Sequence, residues 1–118
     1  MDSNMGWVIV GGIVLLYAWK FFGPGRAASS KIVREKLEAG ATILDVRTSG
    51  EFSSGAYPRA RNIPLDSLSA KLAKLGPKDK PIVVYCASGS RSAQAARILK
   101  GAGFADVTNA GALHSMPR

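Results

Sequence analysis

The chain has almost none of the residues that build disulfides and metal sites. Its 118 residues include one cysteine and one histidine. A single cysteine cannot form an internal disulfide, and a structural zinc site needs several cysteine or histidine ligands. The sequence therefore excludes a disulfide scaffold and predicts no metal site. The lone Cys86 is either an inert core residue or a chemical reagent.

Acidic side chains are scarce as well. Eight Asp and Glu stand against sixteen Lys and Arg, so the formal net charge is +8. Such a balance suits nucleic acid, an anionic membrane surface or an anionic substrate as the partner. The basic residues are spread along the chain and no recognition-helix motif accompanies them, so we predict no nucleic-acid partner.

One long hydrophobic run lies at the N-terminus. Residues 3–19 carry no charge, and "WVIVGGIVLLYAW" within them is almost wholly apolar. A helix of this length spans about 26 Å, close to the hydrocarbon core of a bilayer, and aromatic residues near both ends suit its interfaces. The sequence predicts a transmembrane anchor over residues 1–22, with residues 3–22 contacting the lipid bilayer. The alternatives are a buried helix and a cleaved signal peptide, which should begin with a basic region.

The charges that flank this run predict its orientation. No Lys or Arg precedes the run, and five follow it closely: Lys20, Arg26, Lys31, Arg34 and Lys36. The positive-inside rule then predicts a single-pass protein of the cell inner membrane with its C-terminal part in the cytoplasm. Gly11 and Gly12 would permit two such helices to approach closely, so the sequence leaves open whether the protein forms an oligomer through its membrane helix.

The remainder divides into a linker and one domain. Pro24 stands between two glycines and cannot continue a helix, so residues 23–30 are the predicted linker. Residues 31–118 are enough for one modest core. Strand signals occur in "TILDV", "RNIPL", "KPIVVY" and "ADVTN", and helix signals in "SKIVREKLEAG", in the leucine-spaced residues 65–75 and in "RSAQAARILKGAG". Their alternation predicts an α/β fold with a central, mostly parallel sheet and helices on both faces.

Cys86 follows directly after the strongest strand signal. Ligands of open α/β sheets bind beyond the carboxyl ends of strands. The next residues, "ASGS", carry no bulky side chain, so their N–H groups can form an anion-binding nest at the start of the following helix. Such a nest stabilises a thiolate and lowers its pKa without a histidine partner. We expect His114 to lie on the surface, remote from this nest.

Residues 86–92, here called the Cys86 loop, resemble the active-site loop of the rhodaneses, whose pattern is C-x-x-G-x-R-S/T. Three further stretches resemble the family in the same order. "DVRTSGEF" is similar to D-V-R-x-x-x-E-F/Y, and "GAYPRARNIPL" is similar to G-H-I-P-G-A-x-N-I-P with Ala56 at the histidine. "AARILKGAGFADVTNAG" resembles the closing helix, turn and last strand. The resemblance covers about residues 30–116.

The resemblance implies a rhodanese-like three-layer fold and transfer of sulfane sulfur through a covalent persulfide on Cys86, without a cofactor. A small anionic donor such as thiosulfate would supply the sulfur, and cyanide, a thiol or a protein would accept it. Arg91 would add positive charge for the donor or brace the loop. The residues expected to bind substrate are Ala87, Ser88, Gly89, Ser90, Arg91 and Ser92.

Two charged residues near the first predicted strand are candidates for supporting roles. Asp45 ends that strand and could contact Arg91 or the substrate, with Arg47 beside it. The alternative is that Asp45, Arg47 and Glu51 pair with one another only to hold the turn. Arg59 and Arg61 also have two interpretations, as part of a basic rim of the pocket that attracts anions or as solvated charges.

Two other functions compete with sulfur transfer. Cysteine phosphatases and arsenate reductases use a similar cradle but need five residues between cysteine and arginine, whereas four separate Cys86 from Arg91. A membrane-tethered binding or sensing module with the same fold and little turnover is the second alternative. The presence of Cys86, Gly89 and Arg91 together favours the enzyme.

Overall fold

The computed structural model describes residues 26–118. The predicted anchor over residues 1–22 lies outside the described residues, and so does the first part of the predicted linker. Within residues 26–118, no helix has the length and apolar character needed to cross a membrane.

Helices and strands alternate along the described residues, as the sequence predicts. The helices are α1 (Ser30–Glu38), α2 (Ser49–Ser53), α3 (Leu65–Leu68) and α4 (Ser90–Gly101), with 3-10 turns at Leu72–Leu75 and Leu113–Ser115. The strands are β1 (Thr42–Asp45), β2 (Arg61–Asn62), β3 (Ile82–Cys86) and β4 (Val107–Ala112). Ser29 caps α1 by accepting a hydrogen bond from the Ile32 amide.

The four strands form one parallel sheet in the order β2-β1-β3-β4. Asp45 at the end of β1 lies opposite Tyr85, and Cys86 lies opposite Ala112 in β4. Since all strands run the same way, their carboxyl ends meet at one edge of the sheet. Cys86 therefore lies at the edge where ligands of open α/β sheets bind.

Helices cover both faces of this sheet, which confirms the predicted three-layer arrangement. Side chains of β3 alternate between the faces: Val84 and Cys86 pack in one apolar cluster, Val83 and Tyr85 in the other. The first cluster includes side chains of α3 and α4, and the second includes Val33 of α1. Every residue of β3 is buried, so this run of apolar residues reads as a strand covered on both faces.

The single helix predicted over residues 65–75 is wrong. Residues 69–71 are not helical, and they separate α3 from the 3-10 turn that follows. Lys71 has left the helical region, with φ −119°. Leu68 and Leu75 are nonetheless both buried. Leucines spaced three and four residues apart can pack against the core from one continuous helix or from two short helical turns. The periodicity of the sequence therefore does not distinguish these two structures.

The last strand extends further than predicted. The strand predicted from "ADVTN" covers residues 105–109, but β4 continues to Ala112 because Tyr85 and Cys86 pair with Gly111 and Ala112. Glycine and alanine have low strand propensity, so the local sequence gives little signal there. The second predicted strand is shorter than expected and reduces to the two residues of β2, although the Ile63 and Leu65 amides still donate to the Asp45 and Val46 carbonyls.

The described end of the predicted linker is attached to the sheet. The Ala28 amide donates a hydrogen bond of 2.7 Å to the Asn109 carbonyl of β4. A Cβ on Gly111 would lie 2.8 Å from the Ala27 Cβ, so the two backbones approach closely. The folded unit therefore begins before residue 31.

Candidate functional site at the end of strand β3

Cys86 is the last residue of β3, and its side chain is fully buried at 0% exposure. The chain then turns through small residues and enters α4 at Ser90. Gly89 makes this turn possible with a backbone φ of +104°, in the left-handed region that residues other than glycine rarely adopt. The Cys86 loop is thus a strand-to-helix turn whose geometry depends on glycine.

Hydrogen-bonding groups surround the sulfur of Cys86. The Gly89 amide donates to Cys86 Sγ over 2.9 Å. The Cys86 thiol donates to the Ser92 hydroxyl oxygen at 3.5 Å, and that hydroxyl donates to the Gly89 carbonyl at 3.0 Å. When Cys86 is ionised, the Ser92 hydroxyl can rotate and donate to the sulfur. Because Ser92 belongs to the first turn of α4, the helix and the preceding turn hold the sulfur between them.

These donors lower the pKa of the Cys86 thiol below its ordinary value of 9.0. Burial raises the pKa, but hydrogen bonds from the Ser92 hydroxyl and from the amides of Ser92, Gly89 and Ser88 lower it by more. Donors that hydrogen-bond the charged form of a group favour that form. The loop can therefore hold a thiolate in a buried position, as the sequence predicts for the "ASGS" nest.

Arg91 of the Cys86 loop forms an ion pair with Glu51 of α2. The guanidinium donates from Nη1 to Oε1 at 2.7 Å and from Nη2 to Oε2 at 3.0 Å, a bidentate arrangement. This partner raises the pKa of Arg91, and in turn Arg91, followed by the Thr48 backbone amide, lowers the pKa of Glu51 to about 2. The contact is the bracing interaction considered for Arg91, and it is made with an acidic residue 40 positions away.

Asp45 and Arg47 form a second ion pair, on the other side of the sheet from Cys86. Asp45 Oδ2 accepts from Arg47 Nη2 at 2.8 Å and from the Tyr85 hydroxyl at 2.7 Å, and Arg47 also donates to the Gly55 carbonyl at 2.7 Å. Burial and the hydrogen bond to Asp45 raise the pKa of Tyr85 to about 12. Asp45 and Arg47 therefore hold the turn around α2, and the structure does not bring them into contact with Cys86.

A depression of about 420 Å³ opens beside the Cys86 loop. Its lining includes Ser88, Gly89, Ser90, Asn109, Gly111 and His114. His114 is exposed, as predicted, but the expectation that it is remote from the nest is wrong. The sequence gives no signal for this proximity, because it arises when β4 continues past Asn109 and returns the chain alongside β3.

The residues predicted to bind substrate lie together around Cys86. Ala87, Ser88 and Ser90 are exposed, Gly89 and Arg91 are half-buried, and Ser92 is buried. Arg59 and Arg61 are exposed, and Arg61 donates to the Lys74 carbonyl. Glu51 is the residue whose role sequence reasoning missed: it was considered as a partner of Asp45 and Arg47, and the structure pairs it with Arg91 instead.

Comparison with protein families identifies one matching family model. The model described as rhodanese-like domain matches residues 29–110. That range includes all four strands except the last two residues of β4, together with the whole Cys86 loop.

Named relatives and solved structures resemble the chain over most of its length. The thiosulfate sulfurtransferase PspE of Escherichia coli (strain K12) is 36% identical over 100 residues, which cover 82% of this chain and 96% of that protein. The human single-domain sulfurtransferase TSTD1 has a TM-score of 0.68 at 28% identity, covering 75% of this chain and 92% of that chain. A structure described as rhodanese with anions from E. coli has a TM-score of 0.63 at 33% identity, covering 66% and 95% respectively.

Proposed function

We propose, because this chain belongs to the rhodanese-like domain family, that it is a sulfurtransferase that moves sulfane sulfur through a persulfide on Cys86. The observation that carries the proposal is the hydrogen bond of 2.9 Å from the Gly89 amide to Cys86 Sγ. It shows backbone donors directed at the sulfur that the reaction would use. Relatives named as thiosulfate sulfurtransferases support the same activity.

The first half-reaction would load Cys86. The thiolate attacks the outer sulfur of a donor such as thiosulfate, a new S–S bond forms, and the S–S bond of the donor breaks. The electron pair of the broken bond leaves with sulfite, and a persulfide anion remains on Cys86. No proton has to be removed during this step once the thiolate is present, so no general base is required. The low pKa of the Cys86 thiol then supplies what a base would otherwise provide.

The second half-reaction would unload the persulfide. A thiophilic acceptor attacks the outer sulfur, the S–S bond of the persulfide breaks, and the thiolate of Cys86 is regenerated. Cyanide would leave as thiocyanate, and a thiolate acceptor, free or on a protein, would leave as a new persulfide. The Cys86 loop serves both steps, because its amides favour negative charge on sulfur before and after each transfer.

Backbone amides of the Cys86 loop would also bind the negative charge of an anionic sulfur donor. The guanidinium of Arg91 is occupied by Glu51, whereas Ala87, Ser88 and Ser90 are exposed at the mouth of the loop. Nests of consecutive amides bind anions without a cationic side chain. The similar solved structure described as rhodanese with anions from E. coli supports anion binding by this chain.

A membrane location is part of the proposal. The uncharged run of residues 3–19 and the basic residues that follow it support a single-pass anchor in the cell inner membrane, with residues 3–22 in the bilayer. The sulfurtransferase domain would then face the cytoplasm. The cytoplasm is reducing, so a thiol of low pKa can alternate there between its reduced and persulfide forms. An oxidising compartment promotes irreversible oxidation of such a thiol.

A second candidate function follows from the burial of Cys86. Because its side chain is 0% exposed, donor and acceptor can reach the sulfur only if the Cys86 loop moves. A membrane-tethered binding or sensing module with little turnover would retain the closed loop. The two functions differ in whether the purified protein gains a sulfur atom.

Intact-mass measurement after incubation with thiosulfate tests the proposal. The reduced protein should gain one sulfur, about 32 mass units, and cyanide should remove it with release of thiocyanate. Cys86→Ser should abolish both changes, since a hydroxyl is far less acidic than a thiol. If the wild-type protein gains no sulfur from thiosulfate or from other sulfane donors, the binding module becomes the better explanation.

A further inference from the structure

The Cys86 loop is tied to the rest of the fold through two side chains. Ser92 donates to the Gly111 carbonyl of β4 at 3.4 Å, and Arg91 makes the bidentate ion pair with Glu51 of α2. The residues between Cys86 and Arg91 are small and mostly exposed. The conformation that directs the Gly89 amide at the sulfur therefore depends on how the end of the loop is held.

Glu51 is itself fixed at the start of α2. Its carboxylate Oε1 accepts from the Thr48 amide at 3.2 Å and from the Thr48 hydroxyl at 3.1 Å. The Glu51 amide in turn donates to the Thr48 hydroxyl at 3.2 Å, which completes a capping box. The carboxylate that holds Arg91 is thus part of a helix cap, and it provides a rigid point of attachment.

We propose that Glu51 is a positioning residue for the sulfur transfer: by holding Arg91 it keeps the Cys86 loop in the conformation that directs the Gly89 amide at Cys86 Sγ. The inference rests on the proposed function. Glu51 does not contact the sulfur; it acts through Arg91. A bidentate pair suits this role because two parallel hydrogen bonds restrict the orientation of the guanidinium as well as its distance.

An electrostatic role for Glu51 would give the opposite result. If Glu51 only cancels the charge of Arg91, its removal leaves an uncompensated cation near Cys86 and lowers the pKa of the thiol. If Glu51 positions the loop, its removal loosens the amide donors and raises that pKa. The direction of the shift therefore separates the two roles.

Alkylation of Cys86 by iodoacetamide as a function of pH measures this direction. The substitution Glu51→Gln keeps a capping-box residue at this helical position, because Gln also fits the motif, while it removes the charge on which the pair depends. Arg91→Met removes the other partner. We expect both variants to raise the midpoint pH of alkylation by about 0.5 to 1 unit. The plateau rate at high pH, where Cys86 is a thiolate throughout, reports access to the buried sulfur separately.

The double variant tests whether Glu51 acts through Arg91. Residues that act as one unit give non-additive effects. In the Arg91→Met background, Glu51→Gln should therefore cause no further rise in the midpoint pH of alkylation. Lys36→Met is the matched control for loss of an ion pair, because it breaks the pair between Lys36 and Asp106. Asp106 directly precedes β4, at the opposite edge of the sheet from Cys86, so the midpoint should not change.

Specific results would overturn the inference. An unchanged or lower midpoint in Glu51→Gln contradicts positioning. An equal rise of the midpoint by Glu51→Gln in wild-type and Arg91→Met proteins shows that Glu51 does not act through Arg91. A shift in Lys36→Met as large as in Glu51→Gln assigns the effect to stability alone. Alkylation requires no sulfur donor, so these results are separate from the mass measurement that tests the proposed function.

Discussion

The amide of Gly89 donates to Cys86 Sγ across 2.9 Å, and Gly89 does so from a left-handed backbone conformation at φ +104°. The two features are connected. The left-handed residue reverses the chain so that the amides after the strand face back toward the sulfur. The amide donor at the sulfur is therefore placed by the backbone conformation of the Cys86 loop, and substitutions in that loop give the most direct tests.

Gly89→Ala should reduce both stability and thiol reactivity. A Cβ at this position meets only the Gly111 backbone at 3.7 Å, which is ordinary contact, so the cost is conformational. A left-handed residue other than glycine costs about 1–2 kcal/mol, and relief of that strain would turn the amide away from the sulfur. Urea unfolding and iodoacetamide alkylation measure the two effects. Wild-type reactivity in a destabilised Gly89→Ala protein would contradict the link between them.

Ser92→Ala should raise the pKa of the Cys86 thiol. The Ser92 hydroxyl is the largest of the contributions that lower it, and a hydrogen bond to a charged group contributes about 1.5–3 kcal/mol. The pH profile of alkylation should therefore move to higher pH. Ser90→Ala is the matched control, since Ser90 is an exposed serine of the same loop. Equal profiles for Ser92→Ala and wild type would exclude the hydroxyl as a donor to the thiolate.

Arg91→Ala should lower sulfur transfer from charged and neutral donors alike. Because Arg91 is bound to Glu51, its loss should disturb the loop for every donor, and kcat/KM should fall by a factor that corresponds to about 1–3 kcal/mol. The comparison uses thiosulfate and a neutral organic trisulfide. A fall in kcat/KM confined to thiosulfate would instead assign Arg91 to binding of the anionic donor. Full activity with both donors would show that Arg91 has no role in sulfur transfer.

Glu51 should make stability depend on pH in the acid range. Its pKa falls from an ordinary 4.5 to about 2 in the folded protein, chiefly through Arg91. A carboxyl with a depressed pKa stabilises the native state above its unfolded pKa, and that contribution is lost as the pH falls through the folded pKa. The unfolding temperature should therefore drop more between pH 4.5 and 2 in wild type than in Glu51→Gln. Arg91→Met, which removes the partner of Glu51, should reduce the drop in the same way as Glu51→Gln. Parallel curves for wild type and Glu51→Gln would contradict the assignment.

Cysteine labelling in intact cells should place the domain in the cytoplasm. Cys86 does not suit this test, because a persulfide would mask its thiol and its burial disfavours bulky maleimides more than the small iodoacetamide. We therefore choose Ala70→Cys, at an exposed position, in a Cys86→Ser background. A membrane-permeable maleimide should label this protein, and an impermeable one should label it only after the membrane is opened. Labelling of intact cells by the impermeable reagent would reverse the predicted orientation.

Local patterns in the sequence were sufficient to predict the order of elements and the position of Cys86 between a strand and a helix. A run of apolar, β-branched residues ends at Cys86, and small residues and a helix signal follow it. Strand propensity, glycine and helix periodicity act over a few residues, so each can be recognised without knowledge of the rest of the chain. The parallel sheet and the loop beyond β3 follow from that alternation alone.

The partners of the charged residues were decided by the tertiary structure. Glu51 and Asp45 lie in one short motif, yet Glu51 pairs with Arg91 while Asp45 pairs with Arg47 on the opposite face of the sheet. Likewise, His114 reaches the depression beside the Cys86 loop only because β4 pairs with β3 through Ala112. Such contacts depend on strand register and on which face a side chain occupies, and a shift of one residue exchanges the faces. No local pattern specifies that choice; the packing of the two cores against the sheet does.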